Sequence, residues 1–187
     1  MKIGGVGLLS ALVLAGCGSK SSQSANSSQK VKWMIPAAIS SMDASKITDL
    51  YSSQVLNATN EGLLKMGENK TTPGVAKSYS VSKDGKTWTF NLRKSKWNDG
   101  KPVTAKDFVF AWRRTVTPKT ASEYAYNFAN IKNASKINSG KMSPTKLGVQ
   151  ADGNYKLVVH LVKPQSYFKY LVSQGYYFPE EQAAVKK

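Results

Sequence analysis

The chain has 187 residues, with 27 Lys plus Arg against 11 Asp plus Glu and a formal net charge of +16. Its 41% hydrophobic and 10% aromatic content can fill a core, which excludes wholesale disorder. A single Cys excludes an internal disulfide framework, and a single His leaves any zinc site short of ligands and any triad dependent on His160.

Residues 1–16 read as an export signal. Lys2 supplies the positive start, and Ile3 to Ala15 is an apolar or small run. That run is shorter than the about 20 residues a spanning helix needs. It ends Leu14-Ala15-Gly16-Cys17, which resembles a bacterial lipobox. Small residues let the extended backbone enter a peptidase, and the Cys17 thiol accepts the lipid. Gly18 to Gln29 is mostly Ser without apolar periodicity, the pattern of a solvated tether. Acyl chains on Cys17 would hold the mature chain at a membrane.

The basic balance raises nucleic acid as a partner, but its distribution argues against that. The lysines occur singly, and Arg is confined to Arg93, Arg113 and Arg114. A lysine-covered surface beside an anionic wall and membrane is the expectation.

In the mature chain, Val31 to Ile35 is a strand candidate ended by Pro36. Asp43 and Ser45 mark a turn. Apolar spacing from Thr48 to about Leu64 predicts a helix with Gly67 as its stop. Tyr79 and Val81 alternate with serines, and Asp84-Gly85 signals a two-residue hairpin into a strand over 86–93. Trp88, Phe90 and Leu92 then share one face. Trp97 and a second turn at Asp99-Gly100 follow. Thr104 caps a helix whose Asp107 completes a capping box; Phe108, Ala111, Trp112 and Thr115 form its apolar face, and Thr117-Pro118 ends it. Residues 120–133 read as aromatic and polar, 138–144 as a loop and 155–162 as a strand apolar on both faces. A helix begins at Ser166, and a last one runs from Glu180 to Lys187. The fold class is mixed α/β.

Motifs for chemistry are missing. Gly62 and Gly67 have phosphate-loop spacing, but Glu68 stands where Lys belongs. Asp84, Asp99 and Asp152 precede Gly and are turn residues. His160 reads as a packed or edge residue. The sequence therefore points to no enzyme, no metal and no cofactor.

Several segments in order carry a family resemblance: Asn60-Glu61-Gly62-Leu63-Leu64, Pro73 to Tyr79, Asp84 to Arg93, Trp97 to Val109, and Ala111-Trp112-Arg113-Arg114. Together they resemble the extracellular peptide-binding lipoproteins of ABC importers, the solute-binding family that includes oligopeptide-binding proteins. Pro118 to Ala125 resembles the oligopeptide branch. The resemblance implies a type II periplasmic-binding-protein-like fold. Its parts here would be a signal peptide over 1–16, a tether over 17–30 and the start of a first ligand-binding lobe over 31–60. An accessory α/β lobe over 61–179 and a return to the first lobe over 180–187 would follow.

The same resemblance implies a two-lobed monomeric binder that closes on an extended oligopeptide, pairs its main chain and works with ABC permease subunits. Tyr124 matches a tyrosine lining the peptide site, and Thr48-Asp49-Leu50 matches a loop touching the ligand backbone. Tyr124 also reads as an interior aromatic, and Thr48 as a helix cap. Family members are longer, so the chain is expected to lack the second lobe and to bind peptides weakly or not at all by itself. The other reading is a basic surface lipoprotein acting as an adhesin or scaffold for anionic wall polymers.

Overall fold

A computed structural model describes residues 32–185. The signal, Cys17 and the tether lie outside the described residues, as do Lys186 and Lys187. Residues 32–34 form no strand and are exposed, contrary to the strand expected over 31–35. The folded unit begins at Ile35.

Helix α1 is Leu50–Thr59. Its cap is Asp49, whose carboxylate accepts from the Ser52 N–H at 2.8 Å; Thr48 is exposed and does not cap. The helix ends at Asn60, not near Leu64 as the apolar spacing predicts. Leu63 and Leu64 are buried and lead into strand β1, Leu64–Met66, which pairs antiparallel with β2, Thr71–Pro73. Close packing forces the switch. A Cβ on Gly62 would stand 2.7 Å from the Phe178 ring, and one on Gly74 would stand 2.5 Å from the Gly62 carbonyl oxygen. Gly67 sits in the β1–β2 turn instead of stopping a helix.

The central sheet has four antiparallel strands: β3 (Ala76–Val81), β4 (Thr87–Leu92), β7 (Val149–Ala151) and β8 (Lys156–His160), in the order β3-β4-β8-β7. Between β4 and β7 lies the ribbon β5 (Ser95–Lys96) and β6 (Pro102–Val103), turned at Gly100. Strand β4 alternates as predicted, with Trp88, Phe90 and Leu92 buried. The hairpin before it is longer than predicted. The Asp84 carboxylate accepts from the Ser82 hydroxyl and the Lys86 N–H, which takes Lys86 off the ladder and leaves Gly85 at φ +69°. Strand β8 is shorter than predicted, and only one face is fully buried: Leu157 and Val159 are buried, whereas Val158 and His160 are half-buried.

Helix α2, Ala105–Val116, packs on the buried face of the sheet. The Asp107 carboxylate accepts from the Thr104 N–H at 2.7 Å, the reciprocal arm of the predicted capping box. Phe108, Ala111, Trp112 and Thr115 are all buried. The stretch read as aromatic and polar contains a short helical turn at 125–128, and helix α3, Ala134–Asn138, fills the gap between it and the predicted loop. Helix α4 is only Phe168–Leu171, and α5 only Gln182–Val185. Glu180 is not helical, because its side chain turns inward.

The main core runs from Leu63 to Tyr177 and centres on Trp112. The Trp112 indole N–H donates to the Tyr177 carbonyl at 2.8 Å, its ring meets Tyr177 edge-on at 5.0 Å, and Tyr177 stacks on Phe128 at 4.1 Å. A second, small cluster joins Ala44, Ile47, Leu56 and Phe178.

The two buried indoles make a controlled comparison. Trp112 Nε1 has a partner, whereas Trp88 Nε1 has none within the chain among the described residues. Trp112→Phe strands the Tyr177 carbonyl and opens space, so it should cost about 3 kcal/mol. Trp88→Phe removes an unsatisfied donor and should cost about 1 kcal/mol. Urea denaturation of both variants checks this; the reverse order would contradict the packing described.

Candidate functional site

The predicted ligand residues fall on two parts of the folded unit. Tyr124 is half-buried just before the 125–128 turn, and its ring stacks on Tyr176 at 4.8 Å and 18°. Tyr176 also meets Phe128 edge-on at 6.4 Å. Burial pushes the Tyr176 phenol up to about 12, and the nearby Tyr126 and Tyr124 hydroxyls add to the shift. The phenol therefore stays protonated and able to donate at neutral pH. Tyr177, by contrast, commits its hydroxyl to the Asn127 carbonyl at 3.0 Å.

Thr48 and Leu50 sit exposed at the start of α1. Between them Asp49 caps the helix and also accepts from the Ser40 hydroxyl. These hydrogen bonds hold its carboxyl down at about 2, the Ser40 bond first. The structure does not bring Thr48 or Leu50 against Tyr124. It connects them indirectly: a Cβ at Gly175 would lie 3.2 Å from the Leu56 side chain, so the turn carrying Tyr176 packs on the far half of α1. Tyr176 belongs to no sequence motif quoted above. The available signal was the run Tyr176-Tyr177-Phe178-Pro179, too aromatic for a surface loop.

The unit also carries a cleft of about 570 Å³ whose walls include Leu56, Trp97, Phe178 and Val185. Four carboxylates stand on it: Asp43, Asp99, Glu180 and Glu181. Each is committed to a cation. Lys101 Nζ lies 2.5 Å from Asp99 and 2.7 Å from Glu181. Arg114 holds Asp43 in a two-pronged pair at 2.6 and 2.5 Å, and its Nη1 reaches both Glu180 oxygens at 3.1 Å. Ser45 adds its hydroxyl to Glu180 at 2.8 Å and lies 2.8 Å from the Thr115 hydroxyl.

Two opposing effects set these carboxyls. At Asp43, burial raises the pKa, but the Arg114 guanidinium outweighs it and holds the group below its ordinary value. At Glu180 burial prevails over Arg114 and Ser45, and the carboxyl is pushed up. His160 has Nδ1 3.3 Å from the Thr87 hydroxyl, a contact within the sheet and away from these acids. No three His, Cys, Asp or Glu side chains among the described residues converge as metal ligands. The arrangement offers aromatic and apolar surface with its charges already paired, which is chemistry for holding a ligand.

Fold and surface together place the molecule in the class of type II periplasmic-binding-protein folds, the class of its structural neighbours. The chain belongs to the bacterial extracellular solute-binding proteins, family 5: residues 70–187 match the family's "Middle" region. It is 41% identical over 181 residues to a dipeptide-binding protein of Lactococcus lactis subsp. cremoris, covering 96% of this chain and 32% of that one. A Bacillus anthracis oligopeptide ABC transporter substrate-binding domain superposes with a TM-score of 0.76 at 48% identity, over 78% of this chain and 28% of that one. Listeria monocytogenes OppA bound to peptide gives 0.78 at 38% identity, over 80% and 30%. The chain thus spans about a third of the length of these relatives.

Arg114 is the common counterion of Asp43 and Glu180, so its loss has a defined pH signature. Arg114→Met should destabilise by about 3 kcal/mol at neutral pH, because two partly buried carboxylates lose their cation. In the parent, Asp43 contributes stability that persists above the ordinary carboxylate range and is lost only as pH falls through its lowered pKa. Glu180 has the opposite sign: its raised pKa means that protonation relieves a cost as pH falls toward 4.5. Without Arg114 both groups follow the second pattern. The defect of the variant should therefore shrink between about pH 7 and about pH 5. Denaturation curves at the two pH values measure it, and a constant defect would show that Arg114 acts through packing alone.

Proposed function

We propose that this chain is part of the peptide-binding component of a bacterial ABC importer, a non-enzymatic binder that works outside the cytoplasm. Membership of the family is the observation that carries the reading, reinforced by similarity to relatives named for dipeptide and oligopeptide binding. The other reading, a scaffold for anionic wall polymers, has no counterpart among those relatives.

In this reading Tyr124 contributes a ring face to the peptide, Tyr176 supports that ring from behind, and Thr48 and Leu50 lie beside the peptide main chain. The ligand is an extended oligopeptide held by main-chain pairing, and ABC permease subunits receive it. Residues 61–179 form an accessory lobe, while 31–60 and 180–187 belong to a first ligand-binding lobe. A small cluster apart from the main core joins Ala44, Ile47 and Leu56 of the first segment to Phe178 at the end of the second. Cys17 carries the lipid.

Peptide contact in this chain alone should be weak, near a Kd of about 1 mM. Nuclear magnetic resonance detects such binding directly. A mixed library of di- to pentapeptides should shift the signals of Tyr124, Tyr176 and residues 48–50 and leave the β3–β4 hairpin unmoved. Tyr124→Ala should abolish the shifts at Tyr176. Library-induced shifts confined to other surfaces would refute the site, and the absence of any shift would refute peptide binding by this chain.

Lipidation has its own test. Expressed in a bacterium fed labelled palmitate, the parent chain should take up label and sediment with membranes. Cys17→Ser should remain unlabelled; label on that variant would place the lipid elsewhere.

A further inference from the structure

The sequence between Glu123 and Asp152 contains no acidic residue and four lysines: Lys132, Lys136, Lys141 and Lys146. The fold gathers them into one basic cap. The Lys141 N–H donates to the Lys136 carbonyl at 2.9 Å, and the Gly148 N–H donates to the Lys132 carbonyl at 2.8 Å. Asn133, in a left-handed conformation at φ +71°, donates its Nδ2 to the Lys146 carbonyl at 2.7 Å. These bonds tie α3 and the following loop into a compact surface element. From α2 the Arg113 guanidinium closes the same element by donating to the Thr145 carbonyl at 3.1 Å.

All four lysines are exposed, and none forms an ion pair with a carboxylate among the described residues. Lys65, Lys101 and Lys156 are paired, whereas Lys70, Lys77 and Lys83 are also exposed without an ion pair among the described residues; what sets the cap apart is that no carboxylate lies in the stretch that carries it. Of the cap's apolar residues, Ile131, Ala134, Ile137 and Leu147 are buried in the core, and Met142 packs against it half-buried. Its outer surface therefore offers ammonium groups together with the exposed hydroxyls of Ser135, Ser139 and Ser143. Between Ile131 and Leu147 no large hydrophobic side chain is exposed; the exposed Tyr126 lies in the turn before the cap.

We propose that this cap docks the protein on an anionic phospholipid surface through headgroup contacts, without insertion. Three features favour a bilayer over a linear polyanion. Lysines are point charges on flexible stems, suited to a diffuse plane of headgroups. The one guanidinium at the cap, the fork that suits a discrete phosphate, is directed at the Thr145 carbonyl. A bacterial extracellular protein also meets the outer face of a membrane as its nearest extended anionic plane. This inference goes beyond the peptide reading and does not depend on it.

Vesicle co-sedimentation tests it, using residues 17–187 with Cys17→Ser so that neither the apolar run of the export signal nor acylation plays a part. Vesicles of phosphatidylglycerol and phosphatidylcholine should bind it at low ionic strength and release it as salt rises. Pure phosphatidylcholine vesicles should show no salt-sensitive binding. Each lysine near such a surface contributes about fivefold in partitioning. Replacing Lys132, Lys136, Lys141 and Lys146 together by Gln should lower the salt-sensitive binding by about a hundredfold or more. The same loss of charge at Lys70, Lys77, Lys83 and Lys86 should lower it no more than about fivefold. Replacing the four cap lysines by Arg should preserve binding. Should circular dichroism show the fourfold Gln variant unfolded, Lys136→Glu and Lys141→Glu singly give the same reading.

Equal losses in the cap and control variants would overturn the proposal, since net charge alone would then suffice. Retention of salt-sensitive binding by the cap variant would overturn it too. So would binding of soluble polyphosphate at the cap with no binding to phosphatidylglycerol vesicles, which would make the cap a polymer site.

Discussion

One guanidinium, that of Arg114, holds together parts of the chain that no local rule would place side by side. It lies near the end of α2, and its partners Asp43 and Glu180 are 71 and 66 residues away in sequence. Ser45 and Thr115 complete the contact with hydroxyls that are almost fully buried. Two residues earlier on the same helix, Trp112 donates to the Tyr177 carbonyl and anchors the aromatic core. A single turn of α2 thus does two jobs: its apolar side fixes the sheet and the 175–177 turn, and its polar side fixes the entry and exit of the folded unit. Burying such a charge cluster is costly, and an apolar substitute of equal shape would often be as stable. What the cluster adds is register: the two-pronged Arg114–Asp43 pair admits one placement of the 43–45 turn, which a greasy contact would not enforce.

The elements legible in the sequence are those whose causes are local. Trp88, Phe90 and Leu92 alternate because a strand has a period of two, and Thr104 with Asp107 caps α2 within one turn. The errors occur where distant atoms decide. Helical spacing continues through Leu63 and Leu64, but the Phe178 ring, more than a hundred residues on, leaves room at Gly62 only for a bare backbone. The last helix begins late because Glu180 reaches back to Ser45 across 135 residues. Asp84-Gly85 marks a turn correctly, yet the Asp84 carboxylate binds the Lys86 N–H and lengthens the loop.

The candidate site follows the same division. Tyr124 was named by family resemblance alone, and the structure shows its ring stacked on Tyr176 at 4.8 Å. Thr48 and Leu50 were named by resemblance as well, but the residue that organises their loop is Asp49, through Ser40 and Ser52. The family's relation to peptides could not have come from composition. A charge of +16 points equally to nucleic acid, to wall polymers and to lipid.

The two halves of the candidate site differ in how firmly they are held. Tyr124 and Tyr176 stand on the main core, where Phe128, Trp112 and Tyr177 interlock. Thr48 and Leu50 stand on a segment attached by four apolar residues and the Arg114 cluster. Ile47, Leu56 and Phe178 contribute roughly 1.5–3 kcal/mol each at most, and Ala44 less. Ordering the backbone of α1 costs about 1–2 kcal/mol per residue over ten residues, so the segment has little margin of its own beyond its helical bonds and the charge cluster. A ligand touching both halves would join a rigid aromatic wall to an adjustable loop. Its binding would be felt most strongly at the loop, because a small free-energy change can shift the population only where competing arrangements lie close in energy.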